Sequence, residues 1–229
     1  MIISMHTPKA GGSSFKQLLR KHYGLSLKGD YKDIPKSFED RTKDAIKFDK
    51  RLSSLKILGY KMLGVKCIHG HFLPYKYKKL LDDESTIFIT WLREPTERLI
   101  SHYYYWQRTS DKRWTSLHKK VIEEGWSLEE FCLSEEMRNI YGKYLWNFSV
   151  DNFDFIGVTE YFEEDVLFFA RKYLGYSDSI NIPIKNVNPN NTGLYSDKID
   201  KELLIAIKDF HSKDYDLYNY ALDKKKNRM

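Results

Sequence analysis

Ile2-Ile3-Ser4-Met5-His6-Thr7-Pro8-Lys9-Ala10-Gly11-Gly12-Ser13-Ser14-Phe15 is the stretch whose reading decides the fold of this chain. It begins as a short apolar run suited to a buried strand, and Phe15, Leu18, Leu19, His22 and Tyr23 then recur at helical spacing. The Lys-Ala-Gly-Gly-Ser-Ser turn joins the two. Glycines let backbone approach a ligand closely, and the helix start aims unpaired N–H groups and a partial positive charge at the same point. An anion is the predicted occupant of Lys9, Ala10, Gly11, Gly12, Ser13 and Ser14, with Lys9 adding a full charge and the two hydroxyls further donors. The lysine precedes the glycines, whereas a Walker loop places it after them, so ATP hydrolysis is not the first expectation. The competing account is a plain glycine-rich connection with a solvated lysine.

Working outward, 229 residues with 41% hydrophobic and 15% aromatic content suffice for one α/β domain with helices on both faces of a sheet, and argue against global disorder. We therefore expect a single domain over residues 1–229, with 25–54 and 107–150 as excursions from it. The balance of 38 Lys+Arg against 32 Asp+Glu, net +6, favours anionic ligands without the charge density of a dedicated nucleic-acid binder. Seventeen tyrosines offer flat amphipathic surfaces for sugar rings or bases, though they are equally ordinary core-edge residues. Cys67 and Cys132 both fall in apolar surroundings, so buried reduced thiols and a reducing compartment are expected. No run reaches the ~18 apolar residues of a membrane span and no signal peptide is visible, which predicts a soluble, cytoplasmic protein. The Lys224-Lys225-Lys226-Asn227-Arg228 tail reads as a solvated end.

Further along, residues 25–54 read as a flap or substrate-side wall with one helix near Ser37–Lys50. Val65-Lys66-Cys67-Ile68-His69-Gly70-His71-Phe72 is the second predicted strand, with His71 emerging at its end. Ligands of open α/β sheets bind outside the carboxyl ends of strands, so His71 is a candidate general base. A metal site and a pair of satisfied structural histidines are the other readings of His69 and His71. Thr86-Ile87-Phe88-Ile89-Thr90-Trp91-Leu92 is the clearest strand, and Glu94-Pro95 opens a helix behind it. Arg93 at the strand end and Ser101 two turns into that helix can grip a second phosphate. A basic, aromatic segment with Tyr105, Arg108 and Trp114 follows and is a candidate acceptor wall. Ser127-Leu128-Glu129-Glu130 is a capping box for a helix predicted to reach about Tyr141. Phe155–Thr159 is the next strand, a helix then runs to Gly175, and an asparagine-rich loop around Asn188 precedes the final helical segments.

In this order the motifs resemble those of sulfotransferases that use 3′-phosphoadenosine 5′-phosphosulfate (PAPS), in particular the carbohydrate branch that includes heparan sulfate 2-O-sulfotransferase. His6-Thr7-Pro8-Lys9-Ala10-Gly11-Gly12-Ser13-Ser14 is similar to that family's 5′-phosphosulfate loop. Leu92-Arg93-Glu94-Pro95-Thr96-Glu97-Arg98-Leu99-Ile100-Ser101-His102-Tyr103-Tyr104 is similar to its 3′-phosphate motif. His69-Gly70-His71 matches a His-Gly-His whose second histidine is the family's base, and Gly157-Val158-Thr159-Glu160 matches a further shared turn. The resemblance implies a P-loop-like three-layer α/β sandwich with a mainly parallel sheet. It implies in-line transfer of a sulfuryl group from PAPS to an acceptor hydroxyl, with a glycan favoured and 3′-phosphoadenosine 5′-phosphate as product. His71 would take the acceptor proton, Lys9 and the loop amides would stabilise the leaving phosphate, and Arg93 and Ser101 would hold the 3′-phosphate. Asn188 would cover the nucleotide, His69, Tyr105, Arg108 and Trp114 would face the acceptor, and no metal would be required.

Two other classes compete with this. A nucleotide-dependent phosphotransferase with an atypical loop predicts Mg²⁺ dependence and ATP affinity. A non-catalytic polyanion or RNA binder predicts salt-dependent binding and no cost from losing His71.

Overall fold

The computed structural model describes residues 1–31, 52–111, 115–177 and 193–228. The expected helix near Ser37–Lys50 and two expected site residues, Trp114 and Asn188, lie outside them. At the centre runs β1 (Ile2–His6), buried along its whole length as its apolar sequence requires. It is flanked by β3 (Cys67–Gly70) and then β2 (Leu27–Asp30) on one side, and by β4 (Ile87–Leu92) and then β5 (Phe155–Val158) on the other. Every pairing is parallel, with Ile2 opposite both Cys67 and Ile87.

The strand period of two divides the apolar residues between two cores. Ile2, Cys67, Ile89, Trp91 and Phe155 face α1 (Gly12–Tyr23) and α7 (Phe162–Leu174), which contribute Phe15, Leu18, Leu19, Val166 and Phe169. Burying a side chain such as Phe15 completely contributes about 1.5–3 kcal/mol. Ile3, Met5, Ile68, Phe88 and Leu92 point the other way. There they meet α2 (Leu52–Met62) through Ile57, α3 (Pro95–Arg108) through Leu99 and Trp106, and α4 (Ser116–Glu123) through Val121. The same core takes Phe131 from α5 (Leu128–Cys132), Tyr141 from α6 (Ile140–Tyr144), Ile207 from α8 (Lys201–Phe210) and Ala221 from α9 (Ser212–Lys226). The result is the expected α/β sandwich with helices on both faces of the sheet. After β1 the chain turns toward β2, and after β4 toward β5, so strand order reverses between β1 and β4. That is where ligands of such sheets bind. No helix among the described residues is long and apolar enough to cross a membrane. Both cysteines are buried free thiols.

Two local expectations are corrected. Leu27–Asp30 is a strand at the sheet edge rather than part of a flap, and its Leu-Lys-Gly-Asp sequence is too short and polar to show alternation. The capping box at Ser127 and Glu130 is present, but the helix it starts stops at Cys132 and a second one begins only at Ile140. Asn139 opens that second helix in the left-handed region, and the Asp214 carboxylate, distant in sequence, accepts the Tyr141 N–H at 2.9 Å. No local signal carries that contact.

The basic tail is also only in part a solvated end: Lys224, Lys226 and Asn227 are exposed, but Lys225 and Arg228 are not. Lys225 is 6% exposed and pairs with Glu164 at 2.9 Å and with Asp165 at 3.4 Å, while Arg228 reaches the same Asp165 oxygen at 3.4 Å. The second oxygen of Asp165 accepts the Val158 N–H at 2.7 Å, so one carboxylate ties the tail to the end of β5. Removing one partner of a buried ion pair leaves the other charge uncompensated. Lys225→Ala is therefore expected to lower unfolding free energy in urea by about 2–3 kcal/mol, less than a full buried pair because Arg228 remains. A loss below about 0.5 kcal/mol would mean that the tail behaves as an ordinary surface ion pair.

Candidate active site

Sheet order lays four strand tips side by side: Tyr31 after β2, His71 after β3, the turn of residues 7–14 after β1, and Arg93 after β4. In the turn, Lys9 and Gly11 both have positive φ, 71° and 74°. For Gly11 this conformation is free, whereas Lys9 holds it at a cost of about 1–2 kcal/mol. Gly11 is the N-cap of α1, no side chain caps it, and the first turn carries no acidic residue. The helix end is thus left open to an anion. Gly12 answers to a different constraint, because a Cβ there would lie 1.8 Å from the His6 ring. The glycine pair therefore serves the packing of His6 as well as access to a ligand. Ala10 and Ser14 are buried in the turn, and Ser13 is exposed at its mouth.

Lys9 extends its ammonium over the Tyr105 ring, 4.2 Å from the centroid. Burial, together with the Arg93 and Arg108 charges, pushes its pKa down to about 8. Three cations from β1, β4 and α3 are thus gathered around one point, an arrangement that a bound anion relieves. Arg93 leaves β4 with its guanidinium 3.5 Å from the Lys9 carbonyl oxygen and 3.4 Å from Glu97, with Glu160 at 4.0 Å and the Tyr195 ring centroid at 6.0 Å. Glu94 caps α3 by accepting the Glu97 N–H at 2.7 Å, and Pro95 stands in the first turn as the sequence predicts. Ser101 is buried two turns along this helix, and Arg108 is exposed on its last turn.

The histidines form a stack. The His6 ring lies 4.5 Å from that of His69 at an interplanar angle of 17°, and 4.3 Å from that of His71. β3 ends at Gly70, which releases His71 from the sheet, and its Nδ1 lies 2.8 Å from the His6 carbonyl oxygen. A carbonyl only accepts, so Nδ1 carries the proton and Nε2 of the neutral ring keeps a lone pair. Burial holds the His71 pKa below the ordinary histidine value, opposed by the bond to His6. Tyr31 stands edge-on to this ring at 5.2 Å, with Lys16 of α1 4.6 Å from the Tyr31 centroid.

His69, expected among the acceptor contacts, is instead completely enclosed. The period of two aims it at the α1 face of the sheet, where its Nδ1 is 2.8 Å from the Oγ of Ser4 on β1, and burial pushes its pKa down to about 3. It supports the stack from below and offers no surface to an acceptor. Lys9, Tyr105, Arg108 and Arg93 do come together, and His71 stands one strand away. Tyr31, Lys16, Glu97, Tyr195 and Tyr141 were not foreseen as neighbours of the site. Among them only Glu97 lies inside a motif legible in the sequence. Among the described residues, no group of three or more His, Cys, Asp or Glu side chains is placed to hold a metal ion.

Fold and strand tips together define an α/β protein with a five-stranded parallel sheet, a glycine turn after its central strand and cations gathered at the strand tips. A family model described as the sulfotransferase family matches residues 1–221, and the chain belongs to that family. It is a transferase of the sulfotransferase type, a family whose usual sulfuryl donor is PAPS. No curated protein matches the sequence.

Proposed function

We propose that this chain is a single PAPS-dependent O-sulfotransferase domain that moves the sulfuryl group to a hydroxyl of a carbohydrate acceptor, with His71 as general base. One observation carries the reading. His71 projects from a strand tip adjacent to the Lys9 turn, with Nδ1 committed to the His6 carbonyl and Nε2 left as the proton acceptor. The turn's open helix start and the Lys9 ammonium suit the 5′-phosphosulfate end of the donor, and Arg93 with Ser101 suits the 3′-phosphate. Bound there, PAPS supplies an activated sulfuryl group.

The chain's own work is alignment, charge stabilisation at the leaving oxygen and removal of one proton from the acceptor hydroxyl. Lys9 meets the developing negative charge, and the Tyr105 face beneath it limits where the ammonium can move. His71 and Tyr31 stand on the side of the turn away from Arg93, which is where the acceptor would approach. Tyr105 and Arg108 are the described members of the acceptor wall expected from sequence, and an aromatic, basic wall of this kind suits sugar rings. Asn188 and Trp114 keep their expected roles of nucleotide cover and acceptor contact as parts of the same proposal.

The test incubates the protein with isotopically labelled PAPS and a panel of glycan acceptors, and reads label transfer by mass spectrometry. Label on a glycan hydroxyl is the expected result. Label transferred only to non-carbohydrate hydroxyls would reject the acceptor class, and ATP-dependent phosphate transfer would reject the donor.

A further inference from the structure

Helices α9 and α6 converge on Arg93 from the face of the sheet opposite α1. The Tyr141 hydroxyl accepts the Arg93 backbone N–H at 3.0 Å and donates to the Arg93 carbonyl, so one phenol holds both peptide groups of that residue. Tyr141 is completely buried, and burial raises its pKa, which keeps the proton it donates. Its own N–H is held by Asp214 of α9, and the Arg98 guanidinium lies 5.5 Å from its ring centroid. One helical turn beyond Asp214, Tyr218 donates to Glu160 Oε2 at 3.1 Å. The other Glu160 oxygen takes the Glu94 N–H at 3.1 Å and lies 4.0 Å from Arg93 Nε. Between these two, Tyr215 donates to Glu94. Thus α9 controls the backbone from which Arg93 springs and a carboxylate that competes for its guanidinium.

We infer that Tyr141 and Tyr218 are positioning residues that set Arg93 for a 3′-phosphate, Tyr141 by fixing its backbone and Tyr218 by restraining Glu160. The inference rests on the reading of Arg93 as the 3′-phosphate contact. Without the Tyr141 hydroxyl, two buried backbone groups lose their partner and the guanidinium loses its fixed origin. Without the Tyr218 hydroxyl, Glu160 keeps the Glu94 N–H as a restraint but can close on Arg93 from 4.0 Å, where it competes with a phosphate for the same fork of donors.

Calorimetric titration with 3′-phosphoadenosine 5′-phosphate and with ADP, which lacks the 3′-phosphate, tests this. Wild-type protein is expected to prefer the 3′-phosphorylated nucleotide. In Tyr141→Phe and in Tyr218→Phe the preference falls about tenfold, the worth of one or two net hydrogen bonds, while ADP affinity is unchanged. Adding Glu160→Gln to Tyr218→Phe restores the preference, since the amide does not compete for the guanidinium. Variants that bind both nucleotides more weakly by the same factor, or that keep the full preference, would overturn the inference. Arg93→Ala with an undiminished preference would instead overturn the reading of Arg93 itself. If Tyr141→Phe does not fold, the Tyr218 pair of variants decides the matter alone.

Discussion

His71→Ala is expected to lower sulfuryl-transfer turnover ~100-fold or more while leaving donor affinity close to wild type, because a positioned base acts on the acceptor proton and not on the nucleotide. The expectation follows from the single hydrogen bond that gives this ring its tautomer, Nδ1 to the His6 carbonyl at 2.8 Å. It also has a pH signature. Burial lowers the His71 pKa, so the neutral, competent form persists below the ordinary histidine value. The acid limb of kcat/KM should accordingly fall below pH about 6.5, with activity lost as pH drops through the lowered pKa. Steady-state kinetics of the wild type and of His71→Ala, followed across pH, check both statements. Near-normal turnover in the variant would remove His71 as the base.

Lys9→Ala should be at least as damaging, with turnover down ~100-fold or more and donor binding weakened as well, since the same ammonium meets the donor in the ground state and the charge on the leaving oxygen later. Here the pH dependence runs the other way. Burial and the neighbouring Arg93 and Arg108 charges hold the free protein's Lys9 near a pKa of about 8, so the ammonium is complete below that value and disappears above it. Donor KM should therefore rise with pH above about 8, and Lys9→Arg, whose guanidinium does not titrate in this range, should abolish the rise. A donor KM flat from neutral pH to well above that point in the wild type would contradict the placement of Lys9 in the anion pocket.

Much of this architecture is legible in the chain because its decisive contacts are local. An apolar run, a glycine turn and a helical repeat within Ile2–Tyr23 give β1, the anion turn and α1, and Glu94-Pro95 marks the start of α3 directly after the strongest strand. His71 is legible for the same reason: Gly70 ends β3 and the next residue has to leave the sheet. What sequence cannot supply are contacts closed by the tertiary fold. The Leu27–Asp30 strand carries one aliphatic residue and owes its place to pairing with β3. Tyr141 reaches Arg93 across 48 residues, and Lys225 reaches Asp165 only when α9 has packed against β5 and α7. His69 misled for an instructive reason. Its motif pairs it with His71, and a period of two would give both rings the same face, but His69 lies within β3 and is enclosed against α1, whereas His71 stands beyond the strand's end.

The central claim is that two separate pockets for negative groups, at the tips of β1 and β4, receive the two ends of one nucleotide. Thermal unfolding in the presence of 3′-phosphoadenosine 5′-phosphate, set against unfolding in ADP, tests it most directly. A ligand present at a hundred times its dissociation constant adds about 2.7 kcal/mol, which raises the midpoint of a chain this size by roughly 5–10 °C. The account predicts that shift for the 3′-phosphorylated nucleotide and little or none for ADP at the same concentration. Equal protection by both would leave the β4 pocket without a 3′-phosphate to bind.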